Sequence, residues 1–334
     1  MYRLDENIAR EVKKDNCFDF LRYLFAYLLI VSHFCVLTCH TEGVFLAGDI
    51  CVKAFFFMSG FLVTYSFMRR NGDCRGYAVR RFVRIVPAYV FTVLCCIFAG
   101  CFVTLLPVPE YVTSPHTLKY AMCNLLMFNW LEPSLPGVFV SNSMSAVNGS
   151  LWVMKFETLF YICIPFLIYI IGRIGKKSVM LPVLLLGMAF HAWLPVQLRQ
   201  SCSLFAGMFL LLFYDTFCKH KHIFFVLSLI SEVIRYTTDM PLLLSVTSSV
   251  EPLSFSVVLL YVAYNASILN FFCRFENITY GLFLFHFPVM QILIHLGLAD
   301  YNLLLCFVTT VVLSTLMAYM TRKMIENPII NKYS

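Results

Sequence analysis

Apolar runs of about twenty residues recur along this chain, separated by short polar breaks. A helix of that length crosses the ~30 Å hydrocarbon core of a bilayer. It also closes its backbone hydrogen bonds within one segment, as lipid demands. The pattern predicts an all-α polytopic membrane protein of about ten transmembrane helices, at 18–39, 44–68, 85–106, 149–171, 179–195, 201–218, 223–237, 249–270, 278–296 and 301–320. The segment 118–131 is apolar too, but its 14 residues are followed by Pro133 and Pro136. It reads as a re-entrant or interfacial piece.

Composition fixes the solvent. Of 334 residues 60% are hydrophobic and 13% charged, with a mean hydropathy of +0.80, outside the range of a water-soluble surface. The expectation is one domain, 1–334, with no fused soluble domain. Basic residues set its orientation, because lysine and arginine stay on the cytoplasmic side. With both termini cytoplasmic, 19 basic residues fall inside, against Lys119 and Arg199 outside. That arrangement gives a cytoplasmic N-terminal segment 1–17, a cytoplasmic basic loop 69–84, an extracytoplasmic loop 107–148 and a cytoplasmic tail 321–334. The net charge of +7 is then mainly an orientation signal, and a nucleic-acid surface is excluded. The mixed-charge first 15 residues and the long first span do not suit a cleavable signal peptide. The 14 cysteines lie mostly in spans or at their edges without paired spacing and read as packing residues, so no metal is expected.

An ionisable side chain in hydrocarbon costs a few kcal/mol or more (~2.5 and upward), so each one marks a functional hypothesis. Arg22 and His33, eleven residues apart, share one face of the first span about 16 Å apart along its axis. Asp19 can pair with Arg22, and a snorkelling anchor is the alternative for that arginine. His33 is a general base or acyl-transfer partner, or else a satisfied interhelical histidine. Glu157 can orient and charge-stabilise a histidine, or pair locally with Lys155. Lys53 is the cation for Glu157, a charge stabiliser or, with more weight, a structural residue. His286 precedes Pro288, whose freed carbonyl needs another donor; a core histidine is its alternative. Arg235 and His191 are weaker candidates. Between the second and third spans stand Arg69, Arg70, Arg75, Arg80, Arg81 and Arg84, with no lysine. Arginine's planar fork suits phosphate. Anionic lipid headgroups or a polyphosphate cofactor such as coenzyme A would fit, with Arg81 and Arg84 on one helix face.

These strings, in this order, resemble the acyltransferase-three family of bacterial integral membrane O-acyltransferases. "DFLRYLFAYLLIVSHF" is similar to its first span, with Arg22 and His33 in the arginine and essential-histidine positions. "VKAFFFMSGFLV" resembles its second-span signature and "RRFVRIVPAY" its basic motif. "GSLWVMKFETLFY" is similar to its tryptophan and glutamate motif, placing Trp152, Glu157 and Tyr161. "ITYGLFLFHFPV" places His286, and "IENP" resembles the family's C-terminal end. Lys53 departs from the acidic or neutral residue of many members, which bears on acceptor choice.

The resemblance implies a multi-pass protein of a bacterial inner or plasma membrane that moves acetyl from cytosolic acetyl-CoA to a hydroxyl of a cell-surface or lipid-linked carbohydrate, such as an exopolysaccharide. His33 and Glu157 would be catalytic. Arg22, Arg80, Arg81 and Arg84 would hold the donor, and Trp152, Tyr161, His286 and Lys53 the acceptor. Partners would be acetyl-CoA, the carbohydrate and membrane lipids, with a homo-oligomer left open. A transporter or flippase of a lipid-linked or anionic substrate is the rival class, although the chain lacks matched inverted halves with broken helices. A scaffold subunit explains neither His33 nor the arginine loop.

Overall fold

The structure, a computed structural model, describes residues 10–12, 16–40, 45–70, 72–190 and 193–333. His191 and most of the 1–17 segment, with Arg3, Lys13 and Lys14, lie outside the described residues.

Helices form where the apolar runs stand. The first three are α1 (Phe18–Leu37), α2 (Phe45–Arg69) and α3 (Cys74–Val103). Two short helices with proline at their starts, α4 (Val108–Thr113) and α5 (Pro115–Leu125), occupy the connection that follows. A 3-10 turn, Gly149–Trp152, leads into α6 (Val153–Ile174). Then come α7 (Lys176–Ala189), α8 (Val196–Leu212), α9 (Tyr214–Thr237) and α10 (Pro241–Asn265). The chain closes with α11 (Thr279–His295), α12 (Leu298–Tyr301), α13 (Leu303–Thr321) and, after a π-turn, α14 (Asn327–Tyr333). Among the described residues there is no β-strand, only a bridge between Ser134 and Ala146.

Six segments among the described residues are long and apolar enough to span alone: Phe18–Leu37, Gly48–Arg69, Cys74–Val103, Gly149–Ile174, Pro241–Asn265 and Leu303–Tyr333. Two bent pairs bring the number to at most eight, against about ten expected. One pair is α8 and α9, bent by 108°; the other is Ile268–Arg274 with α11, bent by 80°. Hydropathy registers composition and not direction, so the pattern counts as two spans, 201–218 and 223–237, what the bend makes one broken pair. Helix α7, expected as the span 179–195, has 14 residues, too few to cross. At the α8–α9 bend the terminal carbonyl of Leu212 accepts from Lys176 Nζ at 2.7 Å, a cation at a helix C-terminus. Large side chains such as Phe98, Phe102, Ile162 and Phe166 are exposed, as hydrocarbon rather than water permits. The protein is an integral membrane protein.

The basic segment 69–84 is mostly not a loop. The Asp73 carboxylate accepts from the Gly76 N–H at 3.0 Å and starts α3 there, which puts Arg75, Arg80, Arg81 and Arg84 on its first turns.

The chain folds as two compact, interleaved units. The first comprises Met1–Arg22, Asp49–Tyr77 and Glu157–Phe275; the second comprises Tyr23–Gly48, Ala78–Phe156 and Glu276–Ser334. In the first, α2 and α8 touch at Gly60 and Gly207, where an added Cβ would overlap the carbonyls of Leu204 and Phe57. Small residues allow such backbone approach. In the second, α11 crosses α13 at Gly281, whose Cβ would stand 2.7 Å from Ala318 Cα.

Candidate active site

His33 lies on α1 and His286 at the middle of α11, both in the second unit. Their rings are parallel, with centroids 5.0 Å apart, and His33 Nδ1 lies 2.7 Å from His286 Nε2. The other nitrogen of His286, Nδ1, is 2.8 Å from the Leu282 carbonyl. A carbonyl only accepts, so His286 Nδ1 carries its proton. In the neutral pair Nε2 of His286 is then an acceptor, and His33 Nδ1–H donates to it. What is left is the lone pair on His33 Nε2. His286 has no exposed surface, whereas His33 keeps some. The resemblance places His286 among acceptor contacts; in the structure both of its nitrogens are engaged and it has no accessible area.

Local chemistry holds α11 in place. Pro288 has no N–H to return to the Leu284 carbonyl. Asn148 Nδ2 donates to that carbonyl at 2.8 Å, and Ser150 Oγ donates to the Phe283 carbonyl at 3.3 Å. The turn before α6 is thereby bound to the helix carrying His286. Gly149 is required there, since a Cβ would come within 2.7 Å of the Phe287 ring. Phe287 in turn stands edge-on to His33 at 5.3 Å. Farther along α11, buried Gln291 donates to the carbonyls of Met144 and Ala146, both at 2.7 Å, and accepts from Asn142 at 2.8 Å. Ser143 donates to the Leu37 carbonyl at the end of α1, also at 2.7 Å.

In the first unit Arg22 bonds to Asp19 at 2.9 Å, and the Tyr161 and Ser59 hydroxyls lie 2.9 Å apart. Glu157 is half-buried on α6. Pro165 frees the Tyr161 carbonyl, and the Tyr77 hydroxyl donates to it at 3.1 Å. In the second unit Trp152 meets the Phe156 ring edge-on at 5.9 Å. Arg80 and Arg81 are half-buried and Arg84 is exposed.

Lys53 is 6% exposed and held by two carboxylates, Asp49 and, at 2.6 Å, Glu251. Glu251 also meets Arg235 at 2.9 Å, and Arg235 pairs with Glu232 at 3.0 Å. Gln200 Nε2 donates to Asp49 at 2.6 Å. This buried chain of charges suits the structural role weighed for Lys53. Its members Asp49, Glu232, Glu251 and Gln200 are not singled out by the sequence pattern. Glu251 carried the same signal as His33, an ionisable group inside an apolar run. Asn148 and Ser150 carried a fainter one, polar residues just ahead of Trp152.

A helical membrane protein with a hydrogen-bonded imidazole pair and a basic helix start is the class these features define. The family model described as an acyltransferase domain matches residues 15–321. The chain belongs to this family, the acyltransferase-3 family of integral membrane proteins. An O-acetyl transferase of Shigella phage Sf6 is 27% identical over 163 residues, which cover 45% of this chain and 44% of that protein. The chain therefore matches less than half the length of that curated relative. No solved structure matches.

Proposed function

We propose that this protein is an O-acetyltransferase that moves acetyl from acetyl-CoA to a hydroxyl of a cell-surface or lipid-linked carbohydrate. Family membership and the name of the phage relative support the reaction class. The observation that carries the mechanism is the hydrogen-bond order from Leu282 through His286 to His33, which leaves a basic nitrogen on the more accessible ring. His33 Nε2 takes the proton of the acceptor hydroxyl as its oxygen attacks the thioester carbonyl. The C–O bond forms, the C–S bond breaks, and the departing thiolate receives the proton from the imidazolium. The same lone pair also serves a route through an acetyl-imidazole, in which it attacks the thioester first.

The donor's phosphates suit Arg80, Arg81 and Arg84, whose guanidinium forks match phosphate oxygens; Arg22 is assigned to the donor on its family motif alone. Glu157 and Tyr161 are assigned to catalysis and to the acceptor on their family motif alone, and Trp152 serves the acceptor. Lys53 stays with its two carboxylates. The test is His33→Ala in membranes supplied with radiolabelled acetyl-CoA and cell-surface glycan. Transfer should fall to background while the protein still inserts at its normal level; unaltered transfer would remove His33 from the mechanism.

A further inference from the structure

One cation beside the site has no carboxylate. Lys155, on the first turn of α6, holds its ammonium 5.3 Å from the centre of the Trp130 ring and 5.0 Å from that of Phe156. No carboxylate among the described residues makes an ion pair with it. Glu132, two residues beyond Trp130, is occupied by Lys119 at 2.7 Å and His116 at 3.5 Å. Hydrogen bonding from Lys119 holds the Glu132 carboxyl below its ordinary range, so it stays ionised and engaged. Trp130 leaves 54% of its surface open, and Trp152, Lys155 and Phe156 are half-buried.

Two aromatic faces attract an ammonium by about 0.5–2 kcal/mol each, less than a carboxylate gives in a partly dry site. An exposed indole beside an unpaired ammonium is therefore chemically incomplete. Its complement is a flat apolar face with an anion at its edge. A pyranose ring bearing a carboxylate has that form, with C–H bonds to stack on Trp130 and an oxygen pair to meet Lys155. Because the ammonium lies against the rings themselves, the anion belongs on the stacked sugar and not on a distant linker. The place is also right: the turn carrying Trp152 begins at Gly149, packed on Phe287, which touches His33.

We propose that Trp130, Lys155 and Phe156, with Trp152, form the acceptor subsite and select carboxylate-bearing sugars. The inference rests on the acetyl-transfer reading for its location and adds the class of acceptor.

The test measures binding and transfer separately on the full-length protein in lipid nanodiscs. Binding of a panel of uronate oligosaccharides and their carboxyl-reduced counterparts is followed by calorimetry. At least one acidic member should bind about tenfold more tightly than its neutral form, as a charge-assisted contact implies. Lys155→Met should abolish that difference and Lys155→Arg should keep it, while Trp130→Ala should weaken both forms. Equal affinities throughout the panel, or an acid preference that survives Lys155→Met, would overturn the subsite. So would displacement of the uronate by a polyprenyl phosphate, which would assign the ammonium to a carrier's phosphate. Acetyl transfer from acetyl-CoA to the same panel is then assayed. Selective binding without transfer refutes the reaction and leaves the subsite standing; transfer without selectivity does the reverse.

Discussion

A histidine's usefulness depends on which nitrogen keeps its lone pair, and here that is set by a backbone carbonyl two bonds away. His286→Phe removes the acceptor for His33 Nδ1–H and frees the ring to turn or change tautomer. Acetyl transfer should fall by about 10²–10⁴ in kcat with little change in the KM for acetyl-CoA. His286→Gln, whose amide oxygen can accept the same bond, should recover part of it. A purely structural role would instead lower folded yield in step with activity, which size-exclusion chromatography of the purified variants checks. The arginines give a second test at this scale. Arg81→Ala with Arg84→Ala should raise the apparent KM for acetyl-CoA by about tenfold or more and spare kcat, since each lost phosphate contact is worth roughly 1 kcal/mol or more. An unchanged KM would assign this helix start to lipid headgroups. His33 was legible from sequence because one imidazole interrupts an apolar run. That His286 is its partner was not, because the two are 253 residues apart and periodicity says nothing about which helices meet.

At the scale of elements, prolines inside helices dictate where polar residues must stand. Pro288 makes Asn148 necessary, because in a dry interior the Leu284 carbonyl has no other side-chain donor among the described residues. Asn148→Ala should destabilise the protein by about 1–3 kcal/mol, the cost of a buried unsatisfied carbonyl. A lowered midpoint in thermal unfolding, accompanied by weaker acetyl transfer, is the expected result; an unchanged midpoint would mean that water or another side chain replaces the amide. The sequence disclosed the need for a donor near Pro288 without identifying it. Helix ends were legible where composition changes abruptly, as at Leu37 and Arg69. The bend at Phe213 was not, because Tyr214, Phe217 and Cys218 carry apolar character past it as far as the polar stretch that begins at Lys219.

Across the whole molecule, apolar composition foretold the class, whereas the buried ion network emerged only from packing. Asp49, Lys53, Glu251, Arg235 and Glu232 are contributed by α2, α9 and α10, and each is expensive in hydrocarbon alone. Lys53→Met leaves Asp49 and Glu251 without one of their cations and should destabilise by about 3–5 kcal/mol. Adding Asp49→Asn to that variant removes one excess charge and should restore part of the loss, a coupling that a double-mutant cycle in detergent unfolding measures. Simple additivity would show that Lys53 and Asp49 act independently.

The long separation between the two imidazoles has a consequence for biosynthesis. Ribosomes add about 5–20 residues per second, so the 253 residues between His33 and His286 take about 13 to 50 s to emerge. For that interval α1 stands in or beside the bilayer with an imidazole that has not yet met its mate. Newly made chains must therefore wait, tolerant of a polar group in oil, until nearly the last helix arrives.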